Sequence, residues 1–300
     1  MKKNYQYGIS SVFIWSTLAA VSKILLTELP NLETLSISSL LAFLFLLLIN
    51  IKNGKIKELK KYKSEDYTII AGLGVLGLFL YSALYYYGLM QLTSQEACIL
   101  NYLWPIMLVI FSSIILKEKM TFIKGIAMIC SFIGIIILSA DSNRAAEGSI
   151  SLGIISCIVA AACYGLFSVL NKKVDYDQSI AMMLMWLTTA MASAVVGLST
   201  ENWILIKGIQ WMGMFWLGFV VNAAAYLWWA MALRGVENTA KIANLAFLTP
   251  FLSLMFSAIL LGEKIKVRAV IALVFIIGGI LFQSVYETIQ KNNTRQKKEV

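Results

Sequence analysis

Tryptophan, tyrosine and asparagine side chains occur in the middle of several apolar segments of this 300-residue chain. Aromatic rings can stack on another ring or face a cation, and an amide side chain both donates and accepts hydrogen bonds. These groups suit the binding of a small molecule. The predicted binding residues are Trp15, Ser16, Tyr81, Asn101, Trp104, Tyr164, Tyr226 and Asn244.

Polar and aromatic side chains in apolar segments can also have a purely structural role. Aromatic rings in membrane proteins often form a belt at the lipid interface, and small polar residues often pack helices together. The sequence favours packing for Ser112, Ser253 and Ser257. It favours a cavity for Asn101 and Trp104, because an asparagine amide is costly to expose to lipid.

Motifs for catalysis, metal binding or phosphate binding are missing from the sequence. The chain has no histidine, its four cysteines form no C-x-x-C pair, and it has no G-x-x-x-x-G-K-[ST] loop. No carboxylate lies near the middle of an apolar segment, so an acidic proton carrier in mid-membrane is not supported. The sequence therefore predicts a protein that is not an enzyme, with no cofactor and no metal.

The charged residues next to apolar segments have structural interpretations. Lys23 lies about one turn inside its segment, and its amino group can extend to the membrane interface. Thr93 and Glu96 have the spacing of a helix capping box. Glu118 and Glu263 are predicted to close their helices.

The composition is that of a membrane protein. Hydrophobic residues make up 59% of the chain, charged residues 14%, and the mean hydropathy is +0.78, whereas soluble domains carry about 25% charged residues. Because a helix needs roughly 20 apolar residues to cross a bilayer, the sequence predicts an all-α protein with ten transmembrane helices. They span approximately 7–27, 33–51, 67–90, 94–116, 121–140, 148–171, 178–198, 211–233, 237–261 and 266–286.

The net charge of +9 is explained by membrane topology rather than by binding to nucleic acid. With both termini in the cytoplasm, 19 of the 25 basic residues lie on the cytoplasmic side. The largest group, six lysines, falls within 52–63. We therefore predict a multi-pass protein of a bacterial cytoplasmic membrane, with both termini cytoplasmic.

An internal repeat divides the chain. Pro105 precedes Glu118 by 13 residues, as Pro250 precedes Glu263, and the two pairs are offset by 145. The same offset relates Tyr81 to Tyr226 and Gly134 to Gly279, while Trp15 and Tyr164 are related by 149. The predicted units are a five-helix half 1–143, a second half 144–290 and a basic tail 291–300. Five spans per half would invert the second half, an arrangement typical of secondary transporters.

The two prolines are predicted hinges. Each removes a backbone hydrogen bond inside a helix and frees the carbonyl group of the residue four positions earlier, Asn101 or Ala246. The alternative is a static kink whose carbonyl is satisfied by neighbouring helices.

The 5+5 repeat and the paired proline–glutamate endings resemble the EamA-type drug/metabolite transporter superfamily. Within it, IWSTLAAVSK and NYLWP are most similar to the bacterial aromatic amino acid exporter branch. The second half reads LAFLTP, so only residues 101–105 match that branch directly. The resemblance implies a proton- or gradient-driven exporter of amino acids or similar metabolites, with a cavity between the halves. The expected partners are a small-molecule substrate and the lipid bilayer, with protons as one candidate coupling ion, and the expected state is a monomer or homodimer.

Two alternatives remain at the level of sequence. One is a multidrug or organic-cation exporter, which the lack of a mid-membrane acid disfavours. The other is a membrane channel or sensor, although the sequence has neither charged rings nor a carbonyl filter.

Overall fold

The computed structural model describes residues 2–117, 121–139, 148–233 and 244–296, and these residues form helices joined by short connections. Eight of the helices described are long and apolar enough to cross a membrane, and two more are apolar but shorter. The long helices are α1 Lys3–Leu26, α2 Asn31–Lys52, α3 Ser64–Gln91, α4 Ser94–Ile115, α6 Ser149–Asn171, α7 Gln178–Thr200, α8 Gly208–Ala232 and α10 Val267–Tyr286. The shorter ones are α5 Phe122–Leu138 and α9 Leu245–Leu261.

The predicted all-helical class is confirmed for the described residues, and each predicted span overlaps one of these helices. The start of the predicted span 237–261 lies outside the described residues. Ten membrane crossings remain a prediction, because α5 and α9 fall short of the length that defines the other eight. Helix α10 continues past its apolar part to Gln296, and a 3-10 helix, Lys55–Lys61, joins α2 to α3.

The surface of the bundle is apolar where a soluble protein would be polar. Leu48, Ile136, Val195 and Ile259 are each about two-thirds exposed or more, and they lie on four different helices. Extensive exposed apolar surface marks contact with lipid or with another protein. With eight helices of spanning length, this surface fits a bilayer.

Five helices depart from regular α geometry. Helix α1 is interrupted at Thr17, and α4 is interrupted between Asn101 and Trp104. Helix α9 begins with a 3-10 turn, Asn244–Leu248. Helices α3 and α8 contain π-helical turns at Val75–Leu80 and Trp216–Ala224. Turns of this kind are frequent at functional sites.

Helices α5 and α10 pack closely through glycines. A Cβ atom on Gly134 would lie only 2.8 Å from the Ala272 carbonyl oxygen, and one on Gly279 would lie 3.0 Å from the Ala127 carbonyl oxygen. Because 145 residues separate both Gly134 from Gly279 and Ala127 from Ala272, the two contacts are equivalent under the predicted repeat. Glycine therefore permits the close approach of these helices on both sides of the contact.

Helices α2 and α7 are joined at both of their ends. The Glu201 carboxylate, just after α7, accepts hydrogen bonds from the backbone N–H groups of Leu32 and Glu33 at the start of α2. At the opposite end, Asn50 of α2 exchanges two hydrogen bonds with Ser179 of α7. These bonds and the long contact between the helices make α2 and α7 a firmly connected pair.

An ion pair lies at the end of the bundle that is predicted to be cytoplasmic. Lys55 Nζ lies 2.6 Å from the Asp177 carboxylate, which also caps the start of α7. Partial burial raises the pKa of Asp177, but the hydrogen bond and charge of Lys55 and the N–H groups of the helix outweigh burial, so the pKa lies below its usual value. The stabilisation from this pair is therefore present at neutral pH and is lost as the pH falls through that lowered pKa.

Candidate functional site

Five of the predicted binding residues form one aromatic cluster, which we define as Trp15, Tyr81, Trp104, Tyr164 and Tyr226. The ring centroids of Trp15 and Tyr226 lie 5.1 Å apart, those of Tyr81 and Tyr164 4.9 Å, and those of Trp104 and Tyr164 5.3 Å. The Tyr164 and Tyr226 side chains lie close to each other, which brings the two sets of rings together. All five side chains are partly buried.

The cluster draws its rings from five helices of both predicted halves. Trp15 lies on α1, Tyr81 on α3, Tyr164 on α6 and Tyr226 on α8. The Trp15–Tyr226 contact becomes the Tyr164–Tyr81 contact when each residue is replaced by its repeat equivalent. The packing of α1 against α8 and of α3 against α6 brings these pairs together.

Polar atoms at the cluster have incomplete hydrogen bonding. Asn101 Nδ2 donates to the Tyr81 hydroxyl at 3.0 Å. Within the described residues, neither Asn101 Oδ1 nor Trp15 Nε1 has a hydrogen-bond partner, although both atoms are buried. Buried polar groups without partners are uncommon and call for an explanation. The site thus offers one acceptor and one donor to a bound molecule or to water.

The interruption of α4 places Asn101 and Trp104 on either side of a break in the helix. Asn101 ends the first segment, and Trp104 with Pro105 begins the second. In α9, Pro250 stands at the equivalent position, at the start of the segment Thr249–Leu261. Both helices thus depart from regular α geometry next to their prolines within the described residues, and a hinge function stays a prediction.

Tyr102 contributes a contact that the sequence did not predict. Its hydroxyl donates to the Ala246 carbonyl oxygen at 3.1 Å, and this is the carbonyl that Pro250 leaves without a partner in its own helix. The repeat equivalent of Tyr102 is Phe247, which has no hydroxyl. This difference between the halves, next to the proline motif, was the only signal in the sequence.

The structure does not place Ser16 and Asn244 with the other predicted binding residues. Ser16 is fully buried and its hydroxyl donates to the Val12 carbonyl oxygen of its own helix at 2.6 Å. Asn244 begins a 3-10 turn, and its side chain lies outside the described part of the structure.

Three charged residues near the predicted outer end make contacts between helices. Lys23 Nζ donates to the carbonyl oxygens of Leu89 and Leu92, at the last turn of α3, rather than only extending to the interface. A cation is favourable at that position because the helix dipole is negative there. Glu96 forms the predicted capping box with Thr93 and also pairs with Arg268 at 3.3 Å.

The sequence profile of the EamA-like transporter family matches the chain twice, over residues 3–140 and 151–285. The chain belongs to the EamA-like transporter family. As a member, it is a multi-pass membrane transporter, in agreement with its eight long apolar helices.

Relatives of this EamA-family chain cover most of its length at low identity. An uncharacterized transporter of Clostridium kluyveri is 26% identical over 99% of the chain and 97% of its own length. The uncharacterized transporter YyaM of Bacillus subtilis is 26% identical over 86% and 85%. The aromatic amino acid exporter YddG of Ancylobacter novellus is 24% identical over 69% and 72%. A solved crystal structure shares the fold, with a TM-score of 0.68 and 18% identity over 94% of this chain and 98% of that one.

Proposed function

We propose that this EamA-family transporter exports amino acids or similar small amphipathic metabolites by alternating access. The observation that carries the proposal is the aromatic cluster with its unpaired acceptor and donor, Asn101 Oδ1 and Trp15 Nε1. An amino-acid ammonium group can donate to the amide oxygen, its carboxylate can accept from the indole N–H, and the rings can cover an apolar side chain. The existence of an aromatic amino acid exporter among the relatives supports this substrate class.

The proposed transport cycle uses two inverted halves, 1–143 and 144–290, followed by the tail 291–300. Two separate matches to the family profile support the division. The reciprocal contacts of Gly134 with Ala272 and of Gly279 with Ala127 support an approximate two-fold relation between the halves. Substrate would bind where helices of both halves meet, as in other transporters with inverted repeats.

The proposed orientation has both termini in the cytoplasm of a bacterial cell. We expect a Lys57→Cys variant to react with a membrane-impermeant thiol reagent only from the cytoplasmic face, and an Arg144→Cys variant only from outside. Both would be made in a chain whose four native cysteines are replaced by alanine. Reaction of both variants from the same face would contradict the inverted halves.

Counterflow into proteoliposomes tests the substrate class. Vesicles preloaded with one unlabelled compound should accumulate its labelled form when that compound is a substrate, without any ion gradient. We expect accumulation with amino acids that carry an apolar or aromatic side chain, and none with purines. Empty vesicles and the preloaded compound without protein are the controls.

The same vesicles separate the alternatives. If an amine without a carboxylate competes with counterflow as well as the amino acid does, an organic-cation exporter is favoured. The faces of the aromatic rings also suit cationic ligands. The cluster itself contains no carboxylate to pair with a cation. Single-channel currents without counterflow would favour a channel.

A further inference from the structure

Helices α4 and α9 are hydrogen-bonded to each other at the predicted outer end. The Glu263 carboxylate, two residues after α9, accepts from the backbone N–H of Ser94 at 2.7 Å and of Gln95 at 3.2 Å. Six residues before Glu263, within α9, the Ser257 hydroxyl lies 2.7 Å from the Ser94 hydroxyl. The sequence predicts that Glu263 closes its own helix, but its carboxylate caps the start of α4 instead.

These contacts continue inward along the same two helices. Cys98, one turn after Ser94, is buried next to Ser253, one turn before Ser257, and within the described residues the Ser253 hydroxyl has no hydrogen-bond partner. Tyr102, one turn after Cys98, reaches the Ala246 carbonyl oxygen. The seam between α4 and α9 therefore has hydrogen bonds at the predicted outer end and again at the helix interruptions beside the aromatic cluster.

At the other end of this seam, Glu118, the repeat equivalent of Glu263, lies outside the described residues. Ser112 is the repeat equivalent of Ser257, and within the described residues its buried hydroxyl has no hydrogen-bond partner. The repeat equivalent of Ser94 is Thr239, which lies outside the described residues. Among described residues, α4 and α9 are thus hydrogen-bonded on the outer side of the cluster. Helices α2 and α7, in contrast, are bonded at both ends.

A carboxylate at a helix N-terminus is suited to a contact that must be strong and yet reversible. Its hydrogen bonds are charge-assisted, and the helix dipole adds to them. Both partners are satisfied by water when the helices separate, since backbone N–H groups and carboxylates hydrate well. The contact requires no change in the rest of either helix.

We propose that Glu263, Ser94 and Ser257 form an outer latch that keeps the pathway from the aromatic cluster to the outside closed, and that this latch opens during each transport cycle. The inference rests on the proposed alternating-access cycle. It adds a positioning residue, Glu263, that controls access to the cluster from the outer side. Glu263 does not touch substrate; it acts by holding α4 against α9.

Cys98 is a built-in reporter of the latch, because it lies behind Ser94 and Ser257 on the closed seam. In a chain with Cys130, Cys157 and Cys163 replaced by alanine, we expect little reaction of Cys98 with a membrane-impermeant thiol reagent added outside intact cells. Glu263→Ala should raise the rate of reaction at least about tenfold, since two charge-assisted hydrogen bonds are lost. Ser257→Ala should raise it by a smaller factor.

Glu201→Ala is the matched control. Glu201 caps the start of α2 from the end of α7 as Glu263 caps α4 from the end of α9. Its loss should leave Cys98 reactivity unchanged, since it lies outside the seam. An equal rise in this control would overturn the latch, because it would indicate general loosening of the bundle.

Further results test the latch proposal independently of the proposed substrate. Unchanged Cys98 reactivity in Glu263→Ala and Ser257→Ala, with wild-type melting temperatures, would overturn it. So would a rise seen only with inverted vesicles. If Glu263→Ala does not fold, the rate of Cys98 reaction is measured in Glu263→Gln instead. Glutamine keeps one acceptor and loses the charge, so the same rise in rate is expected. Counterflow is measured in parallel: failed counterflow by the wild type with a raised rate in Glu263→Ala would contradict the substrate class and support the latch.

Discussion

Replacing Asn101 by leucine should weaken substrate binding about ten- to hundredfold, because Asn101 Oδ1 is the unpaired acceptor of the aromatic cluster. A hydrogen bond to a charged group such as an ammonium contributes about 1.5–3 kcal/mol, and 1.4 kcal/mol corresponds to about tenfold in affinity. Leucine has the same branching and the same number of side-chain heavy atoms as asparagine, and it is tolerated in a membrane helix. The loss of the Asn101–Tyr81 bond should lower the free energy of unfolding by about 1–3 kcal/mol, because the Tyr81 hydroxyl loses its partner.

The half-saturation concentration in counterflow and the melting temperature in detergent measure the two effects separately. Asn50→Leu is the matched control, since Asn50 is a fully buried asparagine that bonds Ser179 and lies outside the cluster. We expect it to lower the melting temperature and leave half-saturation unchanged. Normal half-saturation in Asn101→Leu would contradict the assignment of the binding site and leave the family assignment untouched.

The helices were predictable because each is a long apolar run, and length alone separates a membrane span from a loop. Helix α3 is an example: the predicted range 67–90 lies within Ser64–Gln91. The π-helical turn inside it was not predictable. Val75–Leu80 has an ordinary apolar composition, and the turn lies where α3 packs against α6 and α7.

The members of the aromatic cluster were predictable from the internal repeat. Trp15 with Tyr164 and Tyr81 with Tyr226 occupy matched positions, and the structure places all four within one group of rings. Ser16 adjoins Trp15 but points its hydroxyl back into its own helix. Adjacent residues of a helix face different directions, so neighbouring positions in the sequence did not imply a shared site.

Contacts between distant helices were not predictable, because periodicity gives the face of a helix and not its register against another. Glu263 meets Ser94 across 169 residues, and Tyr102 meets Ala246 across 144. Lys23 likewise reaches Leu92 only because α1 and α3 run side by side. These three contacts lie on the seam or beside it, where the transport cycle would have to act.

Replacing Pro250 by alanine should slow transport at least about tenfold while the protein stays folded. Alanine supplies a backbone N–H that can bond the Ala246 carbonyl oxygen four residues earlier, the acceptor that the Tyr102 hydroxyl now uses. Alanine is also about 3 kcal/mol more favourable than proline inside a helix. Both effects favour a continuous α9 over the interrupted one, and a cycle that bends α9 at this point would then meet a higher barrier. Pro105→Ala should act in the same direction on α4.

Tyr102→Phe separates the kink from the hydrogen bond that accompanies it, because it removes the hydroxyl and keeps both prolines. Single-turnover efflux from preloaded proteoliposomes, with half-saturation measured in parallel, gives the rates. If the kink itself is needed, Pro250→Ala should be much slower than Tyr102→Phe, and the double variant no slower than Pro250→Ala alone. Equal slowing in the two single variants would assign the effect to the hydrogen bond between α4 and α9. Wild-type rates in both proline variants would make the interruptions static features, with the Ala246 carbonyl merely satisfied by Tyr102.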